Sequence, residues 1–482
     1  MPSSAASAEP RATTTVGAGH RWERHESRLA RVLRTRQMLV CAIVLVVAAI
    51  GITTLHAARH PEMSPVDELQ HIDYLFKAPQ IVRSGEKVGQ DAMREQACRR
   101  LPAWPQTEAC STVTVYDPED FQESGSNTAA IYTPLYYTVT KAVALPITAV
   151  TGVGLVTAGR LVGGLWLACG LVMTLLAARR LGAAPSTATG LLLATAAVPT
   201  VLYPAATITP DAAALLCGAG LLWSVLWWQE SPSRRWWLPA VLSGLVVAVK
   251  ALNILVVVLL ALYVLVRAVV TEVRRRRAAP DDTAVARADV PAPSTPTPAQ
   301  SAVLIGAMSA AALALAVGYI LYVGATAVAS SDGVSMTEGS RTDAFPLVQT
   351  VEHLGIFLRV FYDAGSVNVL GPVGQLNQQT LALIVFGATF AALLVARRIS
   401  TDLRLLALSL VVIGTIGAPL IIAFTFFSQG IFVPIPGRYA LTLIPVGVAV
   451  AAATLRDRPA RITAVVYGAG AWLATAASLA LL

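Results

Sequence analysis

Residues 64–71 read Ser64-Pro65-Val66-Asp67-Glu68-Leu69-Gln70-His71. Two carboxylates and an imidazole this close together can supply a general base or ligate a divalent cation. On a helix, Asp67 and His71 are four apart and Glu68 and His71 three apart, so they can share a face. The same residues also spell a helix start, with Ser64 as N-cap, Pro65 at N1 and Asp67 at N3 in a capping-box position. The two readings are compatible, because a cap can also fix a reactive carboxylate.

Two further stretches carry groups suited to a lipid-borne anion. Tyr132-Thr133-Pro134-Leu135-Tyr136-Tyr137 places tyrosines at a helix start, either as membrane-belt residues or as a wall for a head group. Pro436-Gly437-Arg438-Tyr439 places a guanidinium at the end of an apolar run. There it either grips phosphate bidentately or snorkels to a nearby acid. Arg160, Asp211 and Lys250 are isolated ionisable groups at the ends of apolar segments, positions that mark function by default unless the groups simply pair with one another.

The elements that must position these groups are membrane spans. Apolar residues make up 55% of the 482 and charged residues only 13%, about half the share in soluble proteins. The apolar residues come in blocks of roughly 20, the length needed to cross a bilayer. The sequence predicts an all-α, polytopic membrane protein of about eleven transmembrane helices, at 38–58, 160–178, 185–204, 211–228, 236–250, 252–270, 302–323, 380–396, 404–427, 438–455 and 462–482. The net charge of +8 does not indicate nucleic acid, because arginines cluster between the apolar blocks in the positive-inside pattern. Seven arginines and three glutamates in 1–37 make a basic cytoplasmic tail, and the first block reads as an uncleaved signal anchor.

That orientation sends two long loops outward, 59–133 and 324–379, the second with a surface helix near 351–363. Residues 134–150 read as an interfacial helix, because a span there would invert every later arginine cluster. The N-terminal membrane module thus runs 38–270 and the C-terminal one 302–482. The 271–301 segment between them, with PAPSTPTP near its end, reads as a disordered cytoplasmic linker. Charged residues of the second loop, His353 among them, read as solvated. Cys98 and Cys110 fall in the first outer loop, where a disulfide would contribute about 3 kcal/mol. Cys41, Cys169 and Cys217 fall in apolar spans. No nucleotide-binding fingerprint, zinc spacing or nucleophile elbow stands out.

Taken together, the outer acidic motif, the Pro-Leu-Tyr-Tyr helix, the tight hairpin of 236–250 and 252–270 broken at Lys250 and Asn253, and the late Gly-Arg-Tyr resemble the GT-C superfamily of integral membrane glycosyltransferases, which use polyprenyl-phosphate-linked sugars. The chain is most similar to a bacterial family of predicted membrane proteins, domain-of-unknown-function family 2142, over about 38–455. Pro65-Val66-Asp67-Glu68…His71 resembles that family's Pro-Asp-Glu…His stretch with Val66 inserted, and Gly437-Arg438-Tyr439 resembles its Gly-Arg-Tyr. The resemblance implies a GT-C-like fold with Asp67 or Glu68 as the base and Arg438, with Lys250, holding the donor phosphate. His71, Tyr132, Tyr136, Arg160, Asp211 and Tyr439 complete the candidate substrate-binding set. Lipid A aminoarabinose transferases carry a lysine before the proline helix; Tyr132-Thr133 stands there in this chain, so that role is not carried over. The implied reaction moves sugar to an extracytoplasmic glycan, lipid or protein at a bacterial plasma membrane, with a divalent cation as an open question. A flippase for lipid-linked saccharide and a non-catalytic scaffold are the alternatives.

Overall fold

A computed structural model describes residues 28–101, 108–231, 233–277, 295–328, 340–361, 370–395 and 399–481. The described helices are α1 (Arg28–Arg59), α2 (Glu68–Lys77), α3 (Gln90–Arg99), α4 (Leu135–Thr151), α5 (Leu155–Arg180), α6 (Pro185–Ala196), α7 (Pro199–Ala205), α8 (Ala214–Glu230), α9 (Trp237–Val249), α10 (Ile254–Arg277), α11 (Pro298–Thr326), α12 (Leu347–Glu352), α13 (Gly371–Leu394), α14 (Thr401–Gln429), α15 (Ile444–Thr454) and α16 (Arg458–Leu481). Among the described residues, nine helical segments are long and apolar enough to cross a membrane. The other two expected spans are irregular. That at 185–204 is the pair α6 and α7, bent by 71°, where Pro199 opens the second helix. That at 236–250 is α9, with 13 residues. It ends where the backbone of Lys250 turns extended, at φ −158°.

α5 is the hub of the bundle, because its glycines let neighbouring backbones close on it. A Cβ on Gly163 would sit 2.1 Å from the Ala205 carbonyl oxygen, and one on Gly164 would sit 2.3 Å from Thr53 Oγ1. A side chain at Gly163 would push α7 away, and one at Gly164 would displace the Thr53 hydroxyl of α1.

Several expected boundaries move. α1 starts at Arg28, ten residues before the predicted span, so the basic tail ends in helix. The predicted linker 271–301 is helical at both flanks: α10 runs through Arg277, and Thr297 and Gln300 form a capping box that starts α11. Residues 278–294 lie outside the description, as do 1–27 and Arg397–Arg398. The surface helix expected near 351–363 is two short turns, α12 and Ile356–Arg359, separated by Gly355 in the left-handed region at φ 74°.

The bundle has two chemically different ends. One gathers arginines: Arg180 meets Glu230, Arg267 Nε lies 2.7 Å from Asp402, and Arg274 donates to Thr401. At the other end lies a small module built on α2, α3 and the short turns of 118–131. Its centre is Asp73, which accepts from Gly89 N–H (2.7 Å) and Asn127 Nδ2 (2.6 Å) and pairs with Lys77 (2.7 Å). Cys98 and Cys110 are disulfide-bonded there. α4 is tied to this module, because Lys141 Nζ donates to the Phe76 and Ala78 carbonyls, each at 2.7 Å. Lys141 therefore caps the end of α2.

Candidate functional site

The module end is where most of the singled-out groups meet. Asp67 precedes α2 with φ 53° and ψ 16°, in the left-handed region. Such a conformation is uncommon for a side-chain-bearing residue and clusters at functional sites, although aspartate tolerates it better than most. Ser64 does not cap α2 as the sequence suggests; Asp67 occupies the N-cap position without a side-chain cap bond. Ser64 Oγ instead accepts from Val66 N–H (3.1 Å) and from the Tyr203 hydroxyl (2.6 Å).

The two acids of the motif have different environments. Glu68 is 1% exposed and forms a two-pronged pair with Arg160, with Nε–Oε1 at 2.9 Å and NH2–Oε2 at 2.7 Å. The backbone N–H groups of Ser64 (2.7 Å) and Ile208 (3.1 Å) donate to the same carboxylate. Burial works to raise this carboxyl's pKa, but the charge and hydrogen bonds of Arg160 outweigh it and hold it below the ordinary range. Glu68 therefore ties the start of α2 to α5 and the 208 turn. Arg160 gives its remaining donors to the carbonyls of His60 (3.1 Å), Pro61 (3.3 Å) and Glu62 (2.7 Å), which uses all five of its N–H groups.

Asp67 is half-buried and binds no such partner. Burial raises its pKa above the ordinary carboxylate value, Arg438 and Lys250 pull it back, and Asp211 pushes it up again. Those three come from distant segments. Asp211 sits in the turn Pro210–Ala213, whose Thr209 accepts from the Asp211 N–H. Lys250 stands at the break between α9 and the turn Ala251–Asn253, where the Val246 carbonyl accepts from both Lys250 N–H (3.4 Å) and Asn253 Nδ2 (3.2 Å). Arg438 opens the turn Gly437–Leu443 before α15.

Lys250 is 3% exposed and pairs with Asp211 at 2.5 Å. Its ammonium lies 4.7 Å from the ring centre of Tyr439 and 5.9 Å from that of Tyr132, and Arg438 lies 5.9 Å from Tyr439. Asp67, Asp211, Lys250, Arg438, Tyr132 and Tyr439 thus form one cluster of two acids, two cations and two aromatic rings. Thr133 joins it to the lysine break by donating to the Ala248 carbonyl at 2.5 Å.

His71 and Tyr136 sit behind this cluster. His71 Nδ1 shares a 2.7 Å hydrogen bond with the Tyr137 hydroxyl. Burial, with Lys250 and Arg438 helping and Asp211 and Glu68 opposing, pushes its pKa down to about 4, so the ring is neutral near pH 7. Tyr136 is fully buried and packs on Tyr137 and Trp166. The shared Asp67/Glu68/His71 face expected for cation binding does not form, since Glu68 turns to Arg160 and His71 to Tyr137. Among the described residues no three His, Cys, Asp or Glu are arranged to hold a metal.

Sequence reasoning missed several supports. Tyr203 carries no pattern, and Asn253 shows in the sequence only as a break in an apolar run. His353, read as solvated, bonds the Gln349 carbonyl through Nδ1 (2.6 Å) and accepts from Ile435 N–H through Nε2 (3.2 Å), which steadies the strand of chain leading to Arg438.

In its fold the chain is similar to the crystal structure of ArnT from Cupriavidus metallidurans bound to undecaprenyl phosphate. The match has 14% identity and a TM-score of 0.44, and it covers 91% of this chain and 76% of that one. No curated protein matches. Residues 83–446 match the family described as "Predicted membrane protein (DUF2142)". The match is shorter than the expected 38–455 and takes in Asp211, Lys250 and Arg438 while leaving out Asp67, Glu68 and His71. It spans well over half of the sequence, and the chain is a member of the DUF2142 family of predicted membrane proteins.

Proposed function

We propose that the protein is an inverting glycosyltransferase of GT-C type that moves a sugar from a polyprenyl-phosphate donor to an acceptor hydroxyl on the extracytoplasmic side of a bacterial plasma membrane. The observation that carries this reading is one half-buried carboxylate, Asp67, under the charge of two cations, Arg438 and Lys250, at the end of the bundle away from the arginine clusters. A lipid tail held in the bilayer puts the donor's anomeric carbon at the interface, where this cluster would sit.

In the proposed reaction the Asp67 carboxylate takes the proton of the acceptor hydroxyl. The hydroxyl oxygen bonds to the anomeric carbon from the face opposite the phosphate. The carbon–oxygen bond to phosphate breaks, and polyprenyl phosphate leaves with the electron pair. Arg438 grips the leaving phosphate and Lys250 adds charge, which lowers the barrier where negative charge develops. Lys250 is shared with Asp211. Tyr132 and Tyr439 flank the cations and orient them. Of the two acids first considered for the base, Glu68 has its oxygens occupied by Arg160 and two backbone N–H groups, which favours Asp67.

The test is incubation of the purified protein in vesicles with labelled polyprenyl-phosphate sugars. Release of polyprenyl phosphate together with a glycosylated acceptor supports the reading. Movement of intact sugar-lipid across the bilayer without release would replace it with the flippase alternative. Loss of a partner complex on outer-loop deletion, with acid and arginine substitutions silent, would replace it with the scaffold.

Two outcomes at the cluster are expected. Arg438→Lys keeps charge but loses the fork, so the donor KM should rise about tenfold or more, the scale of one charge-assisted hydrogen bond. Activity requires ionised Asp67, so its acidic limb should lie above the ordinary aspartate value of about 3.9. Arg438→Gln removes a cation that lowers the Asp67 pKa, and should move that limb further toward neutral pH. A limb that stays put would remove Asp67 as the titrating group.

A further inference from the structure

A polar cavity of about 130 Å³ lies against Arg160. That volume is well above the roughly 10–15 Å³ needed to admit one water. His56 and His60, one turn apart at the end of α1, line it, with ring centres 4.9 Å apart. His56 is 3% exposed, yet neither of its ring nitrogens has a hydrogen-bond partner, nor does Nε2 of His60. Native interiors rarely leave such groups unsatisfied. Glu62, Tyr203 and Thr207 complete the polar wall, and the Tyr203 ring meets His56 edge-on at 5.9 Å.

The chemistry of the lining excludes most ligand classes. An anion finds no cation to hold it, because Arg160 has spent its donors on Glu68 and three carbonyls. Burial lowers the pKa of His60, against the pull of Glu62 and with help from Arg160, so that ring is not a standing positive charge either. A metal ion lacks the required three ligands among the described residues. What remains is a set of imidazole donors and acceptors, one carboxylate acceptor and hydroxyls beside an aromatic edge. That set suits a neutral molecule carrying several hydroxyl groups.

We propose that this cavity is a binding subsite for a neutral saccharide unit. Its assignment as the place of the acceptor sugar rests on the transferase reading above, since Ser64 and Pro65 of its wall lead directly to Asp67; its capacity to bind sugar does not. His56 and Glu62 engage adjacent hydroxyls, and Tyr203, anchored on Ser64, covers one face of the ring.

The experiment is saturation-transfer NMR on the full chain in nanodiscs, with the methyl α-pyranosides of glucose, mannose and galactose at millimolar concentration. Wild type should transfer saturation to at least one of them. Ala206→Leu, which fills the cavity from its wall, should lose the signal, and His56→Phe should weaken it at least fivefold. Asp67→Asn should retain it. Thermal melts identify folded variants, and His56→Phe decides the matter if Ala206→Leu does not fold. No saturation transfer from wild type, or signal that survives both cavity substitutions, overturns the proposal. Binding that disappears with those substitutions, in a protein that never transfers sugar, upholds the subsite and removes only the transferase reading.

Discussion

Asp67→Asn is expected to cut transfer by about 10²–10⁴-fold, the usual contribution of a general base, while leaving a folded protein of equal or higher melting temperature. The stability half of this expectation comes from the carboxylate's surroundings. Its pKa is raised in the fold, mainly by burial, so the folded state prefers the protonated acid. Stability from this group is therefore greatest at low pH and falls as pH rises from the ordinary carboxylate value through the raised one. Asparagine has the same shape, tolerates the left-handed backbone at φ 53° and removes that loss. The melting temperature of the variant should therefore exceed that of wild type at pH 7 and converge with it under acid. A variant that retains full transfer would remove Asp67 from the base role.

Glu68→Gln should fail in the opposite way, by unfolding. Removing one member of a buried ion pair strands the other, at about 3–5 kcal/mol. Here the stranded group is Arg160, itself 2% exposed. The lowered pKa of Glu68 means that its stabilisation is present above the ordinary glutamate value and is lost as pH falls through the lowered one. The double variant Glu68→Leu/Arg160→Met should recover much of the loss, because apolar replacement of a whole buried pair is often near neutral. The carbonyls of His60, Pro61 and Glu62 that Arg160 now satisfies would limit the recovery. Thermal melts of both singles and the double in the same detergent read the coupling directly. Additive effects would mean that the pair does not hold α2 to α5.

The contrast between these neighbours shows where sequence stops informing. Asp67 and Glu68 stand side by side in the string, and the base reading fits either. The difference arises from Arg160, 92 positions on, and from the left-handed turn at Asp67, neither of which has a local signature. Long apolar blocks, by contrast, report directly on the solvent around a helix, so the all-helical membrane architecture was legible, along with the Cys98–Cys110 bond. The bend between α6 and α7 was not, because proline within an apolar run tells little about the path the chain takes there. Lys250 and Asp211 were singled out as ionisable groups at segment ends that could pair, and they do. His56 sits inside the first span and gives no comparable signal, because one histidine barely disturbs so apolar a block.

The orientation of the bundle and the identity of the lipid meet in one observation. A cryo-EM map of the protein in nanodiscs loaded with undecaprenyl phosphate should show phosphate density within hydrogen-bond distance of Arg438, facing Asp67 and beside Lys250. Density for the head group at the arginine-rich end, near Arg180 and Arg274, or none at the Asp67–Arg438 cluster under saturating lipid, would contradict the account.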